Sequence, residues 1–67
     1  MKKELFCVCD VKTGIVYPPM VFANRNDCMR AMGDELRTKD GLMARHPEDF
    51  IVLAVGQFDD LTGAIVP

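Results

Sequence analysis

Apolar residues follow two different rhythms along this chain. Leu5 to Cys9 and Phe50 to Val55 are unbroken apolar runs of strand length. Between them Cys28, Met29, Met32 and Leu36 recur at three- and four-residue steps, the spacing that builds one apolar stripe on a helix. Asp27, Arg30, Asp34 and Arg37 fall on the other side of that helix. Asn24 is a good N-cap, and Asp27, three residues on, suits the positive end of the helix dipole. Gly33 weakens the middle by about 1 kcal/mol relative to alanine. The helix is expected to fade near Thr38–Gly41, with Leu42 to Arg45 adding a last turn. His46-Pro47 then breaks it, because a residue before proline avoids the helical region.

A near-repeat brackets this helix. Residues 10–18 read DVKTGIVYP and residues 59–67 read DDLTGAIVP. Asp10 and Asp59, Thr13 and Thr62, Gly14 and Gly63, and Pro18 and Pro67 occupy matching places. Both segments are expected to be β-hairpin turns. The Asp carboxylate accepts from amides just ahead of it, and the glycine supplies the left-handed position that closes the loop. One hairpin joins a strand near Glu4–Asp10 to one near Ile15–Val21, where Pro18 and Pro19 limit regular pairing. The other joins Phe50–Phe58 to Ala64–Val66. The shared turn reads as convergent turn chemistry rather than duplication.

The predicted order is strand, strand, helix, strand, strand. It corresponds to an α+β fold, ββαββ, with a four-stranded antiparallel sheet built from two hairpins and one connecting helix. Phe50, Val52 and Ala54 lie on one face of the long strand, and Ile51, Leu53 and Val55 on the other. The first strand likewise sets Leu5, Cys7 and Cys9 against Phe6 and Val8. Both faces are apolar, and a single helix covers only one. The uncovered face is therefore expected to mediate self-association, as a dimer or a higher oligomer.

Size and composition narrow the classes. Sixty-seven residues make a single domain, 1–67, whose core is marginal at this length. An apolar fraction of 49% with 27% charged residues is globular rather than disordered. No apolar run approaches a membrane span, and the N-terminal run, broken at Asp10, is too short for a signal sequence. Three cysteines without a disulfide spacing fit a reducing cytoplasm. The net charge of −2 argues against a uniformly basic surface but leaves room for a local basic patch.

Candidate chemistry is sparse. Cys7 and Cys9 share a strand face, and with Cys28 and His46 they offer three sulfurs and an imidazole to zinc. Their spacing is not that of paired-cysteine knuckles, and a free cysteine is commonly a core residue, so no metal is expected. His46 has Glu48 and Asp49 beside it, but Pro47 makes that segment a turn, and the chain contains no serine. The glycines are scattered and form no phosphate loop. No catalytic residue and no cofactor is predicted. Arg30 and Arg37 lie two helical turns apart on one flank, with Arg45 in the turn beyond. They are the candidate phosphate contacts, against a competing reading in which Asp34 pairs with Arg30 or Arg37 on a solvated face. Tyr17 and Phe22 are either base-stacking or core residues.

The segment HPEDFIVLAVGQFDDLTGAI resembles the small nonstructural protein of gokushoviruses, single-stranded-DNA phages of the Microviridae. The resemblance runs through Cys9-Asp10, Thr13-Gly14, Pro18-Pro19, Asn24, Cys28-Met29-Arg30, His46 to Phe50, and Phe58 to Gly63. Cys28-Met29 stands where Ala-Ile is typical, Met32 where an aromatic is common, and Gly33 interrupts the helix. The resemblance implies a nonstructural phage protein made in the host bacterial cytoplasm, acting in genome replication or packaging, with weak single-stranded-DNA binding as its means. The alternative is a dimeric protein-interaction module contacting a phage replication or assembly protein or a host factor.

Overall fold

A computed structural model describes residues 2–67. Among them the order is β1 (Lys2–Asp10), β2 (Ile15–Val16), β3 (Met20–Phe22), α1 (Arg25–Leu36), α2 (Leu42–Arg45), a 3-10 turn at Pro47–Asp49, β4 (Phe50–Asp59) and β5 (Ile65–Val66). The fold is α+β with an antiparallel sheet. It departs from the expected ββαββ plan at the second strand, which is two short strands rather than one. Tyr17, Pro18 and Pro19 interrupt it, since proline has no N–H to give to a ladder. Both β2 and β3 pair with the same edge of β1. Across the sheet the order is β2 and β3, then β1, β4 and β5.

The long pair β1–β4 is the spine. It runs from Lys2↔Asp59 to Asp10↔Phe50 and slips once, where Leu5 faces Gly56 but Phe6 faces Ala54. Val55 is the extra residue of this bulge, which bends and twists the strand.

Both turns form as their sequence suggests. Gly14 and Gly63 take left-handed φ values of 78° and 79°. Their N–H groups donate to the carbonyls of Asp10 at 2.8 Å and Asp59 at 2.7 Å. The Asp10 carboxylate accepts from the N–H groups of Lys12 and Thr13, which satisfies a side chain that is otherwise buried. Asp59 accepts from the N–H of Leu61 at 2.9 Å. In each turn the threonine hydroxyl also accepts an amide two residues on.

Helix α1 begins at Asn24, whose side chain accepts from the N–H of Asp27 at 2.9 Å. The Asp27 carboxylate reaches back to the N–H of Ala23 at 3.1 Å, so one orphan helix donor and the amide just before the cap are both satisfied. The core lies between this helix and one sheet face: Phe6, Val8, Cys28 and Met32 are buried, and Tyr17, Met20, Phe22 and Phe50 pack around them. The rings of Phe6 and Phe22 meet at 6.1 Å with a 59° tilt. Only half of the predicted helical stripe is buried. Met29 and Leu36 are 53% and 43% exposed, because one helix touches the sheet along a narrow line through Cys28 and Met32, with Ala31 beside it.

Candidate functional site

Side-chain alternation places Leu5, Cys7 and Cys9 on the sheet face away from α1. Their cross-strand partners share that face: Val21 opposite Leu5, Leu53 opposite Cys7, and Val16 and Ile51 on either side of Cys9. Ile65 joins them through Phe58. Among the described residues no element crosses this face. The three β1 residues are nonetheless buried, because they occupy the middle of the sheet with neighbours on both sides. Val16, Val21, Ile51, Leu53 and Ile65, around them, are between 45% and 64% exposed. The result is a contiguous apolar surface broken only at its end, where Lys3 pairs with Asp60 at 3.7 Å.

A second apolar feature lies on the helix side. The break between β2 and β3 opens a groove of about 490 Å³ bounded by Tyr17, Pro18, Met32, Leu42 and Met43, with Glu35 as its acidic residue. Such a groove accepts an apolar side chain. It offers one carboxylate but no nucleophile–base pair.

The three candidate arginines are all exposed. Arg30 stands beside Asn24, Asn26 and Asp27 near the start of α1. Arg37 is at the C-cap and donates to Asp34 at 3.2 Å, so the expected ion pair forms at Arg37. Arg45 closes α2. Between residues 25 and 40, Arg25, Arg30, Arg37 and Lys39 are matched by Asp27, Asp34, Glu35 and Asp40. That segment has no net charge with which to attract phosphate. Tyr17 and Phe22, the candidate stacking residues, are half-buried against the core.

The sulfurs do not gather. Cys28 is fully buried on the helix face, whereas Cys7 and Cys9 belong to the opposite face, with the sheet between them. Burial pushes the Cys28 thiol pKa up, and the neighbouring Asp27 adds to it. His46, Glu48 and Asp49 do come together, with ligating atoms within 4.8 Å of one another. They sit on an exposed turn that Pro47 opens, and acidic surface turns commonly collect such groups without an ion.

A family model described as Phage ORF5 protein matches residues 3–67, nearly the whole chain. The chain belongs to the Phage ORF5 protein family. No curated protein and no solved structure matches it. Membership in the Phage ORF5 family points to a phage accessory protein, and no helix among the described residues is long and apolar enough to cross a membrane.

Two features of this chain escape a reading of the sequence alone. The groove beside Tyr17 requires α2 to fold back against α1, and Pro18-Pro19 was its only signal. The other is the outer edge of β4, signalled by six consecutive apolar residues from Phe50 to Val55.

Proposed function

We propose that this protein is a non-catalytic accessory of a gokushovirus-like phage, working in the host bacterial cytoplasm during genome replication or packaging as a protein-interaction module. One observation supports the reading: the sheet face opposite α1 is apolar and uncovered, with Val16, Val21, Ile51, Leu53 and Ile65 at its surface. A contiguous apolar surface of this kind on a small protein marks a contact with another macromolecule. It suits a phage replication or assembly protein, or a host factor. The test is phage growth with Val16→Lys and Val21→Lys combined. Both substitutions project from the sheet into solvent, so the domain is expected to fold while progeny yield collapses. Wild-type yield from a stably folded double variant would sink the reading.

A second reading has its own support in the exposure of Arg30, Arg37 and Arg45: weak, salt-dependent binding of single-stranded DNA along the helix flank. The charge balance of residues 25–40 ranks it below the first.

A further inference from the structure

We propose that the outer edge of β4 is where a second copy of this chain pairs, antiparallel and centred on Val52. The backbone phase sets which groups face outward. Val8 accepts the N–H of Tyr17 at 2.9 Å on the β2 side of β1. Cys7 and Cys9, one residue to either side, therefore turn their backbone groups towards Leu53 and Ile51. The N–H of Val11 donates to the carbonyl of Asp49 at 2.8 Å in the same phase. Phe50, Val52 and Ala54 alternate with these residues and aim their N–H and C=O groups away from β1. On that outer side β5 pairs only with Gln57 and Phe58. The edge from Phe50 to Ala54, about 17 Å of strand, thus has no ladder partner among the described residues.

Edges of this kind are normally blunted by lysine, proline or an inward charge. Phe50 to Val55 has none of these. Uncharged, proline-free and rich in β-branched residues, it is the sort of segment that templates pairing unless covered. Its residue order is self-complementary about Val52. Antiparallel pairing sets Val52 against Val52 of the second copy, and the large Phe50 against the small, exposed Ala54, each pair exchanging both backbone bonds. Ile51 then meets Leu53 of the second copy on the open face. The paired stretch ends at Phe50 and Ala54, because Val66 and Pro67 already lie against Gly56, and it contains no charged residue.

The dimensions of the chain fit a missing neighbour. Its accessible surface is 4921 Å², against about 4,250 Å² for a compact protein of this mass. The excess, roughly 700 Å², belongs to the open sheet as a whole, its uncovered face and its β4 edge together. The radius of gyration is 12.9 Å, where about 11 Å is usual at this length. Pairing at β4 would merge two sheets into one and place their open apolar faces side by side. It stands whether or not those faces bind a further protein.

Light scattering coupled to size exclusion tests the pairing with purified chain alone at micromolar concentration. The wild type is expected at twice its 7.5 kDa mass. Ala54→Pro removes an outward N–H that β1 does not use, which an edge strand tolerates, and is expected to halve the mass with an unchanged far-UV spectrum. Ala54→Lys, which keeps every backbone donor, is expected to do the same and decides the matter if the proline variant fails to fold. Val16→Lys with Val21→Lys should leave the doubled mass intact. A wild-type mass of 7.5 kDa, a folded Ala54→Lys variant that stays dimeric, or a dimer lost only in the Val16/Val21 variant would overturn the proposal.

Discussion

Gly56 lies directly against Val66: a Cβ placed on it would stand 2.5 Å from the Val66 carbonyl oxygen and 3.2 Å from the Pro67 Cα. Both obstacles are backbone, so neither can swing aside. Gly56 is also the partner of Leu5 at the bulge, so the close approach couples β5 to the point where the sheet bends. Gly56→Ala is expected to loosen β5 and destabilise the domain by about 1–3 kcal/mol, the usual cost of overpacking. Urea unfolding of the two proteins measures it.

Gly33 is the opposite case. It sits inside α1 with nothing within 4 Å of where a Cβ would be. Gly33→Ala is expected to stabilise by about 1 kcal/mol through helix propensity and a less flexible unfolded chain. For a domain of this size that raises the melting temperature by roughly 4–8 °C. Calorimetry on the pair of proteins provides the check, and a lowered melting temperature would contradict the packing described for α1.

The second turn should respond to acid. The N–H of Leu61, and secondarily Thr62, holds the Asp59 carboxyl below the ordinary aspartate value of about 3.9. A pKa depressed in the folded state adds stability above the unfolded value, and that stability is lost as pH falls through the folded one. The Leu61 amide resonance is expected to titrate below pH 4 and to lose its hydrogen-bonded shift there. In Asp59→Asn the bond can persist but this titration should disappear.

Much of the fold was legible because its signals are local. Asp10 with Gly14, Asp59 with Gly63, and Asn24 with Asp27 each close a turn or cap within five residues, so spacing alone identifies them. The interruption at Pro18-Pro19 was equally readable as chemistry, though not as the split of one strand into β2 and β3. What escaped depends on distant packing. Met29 and Leu36 satisfy the helical period yet stay exposed, because the period says nothing about how wide a strip the sheet covers. The free edge of β4 escaped for a related reason: strand propensity does not reveal that β5 pairs with only two residues of its neighbour. Arg30 and Arg37 were correctly placed on solvent, but the acidic residues that neutralise their segment matter more than their spacing.

A labelled-oligonucleotide titration bears on those arginines. If the helix flank binds single-stranded DNA, affinity should fall roughly tenfold or more between 50 and 200 mM salt. Combined Arg30→Glu and Arg37→Glu substitution should then abolish it without unfolding the domain, since both side chains are exposed. Binding indifferent to that double substitution would remove the helix flank as the DNA site.

Backbone amide exchange reports most directly on the pairing at β4. The N–H groups of Phe50, Val52 and Ala54 point outward from the sheet and have no ladder partner among the described residues. In a two-fold dimer centred on Val52 all three become hydrogen-bonded. Hydrogen–deuterium exchange resolved by NMR should show them protected in concentrated protein, with protection falling on dilution while that of Ile51 and Leu53 persists. Exchange of Val52 and Ala54 at the rate of exposed amides, whatever the concentration, would contradict it.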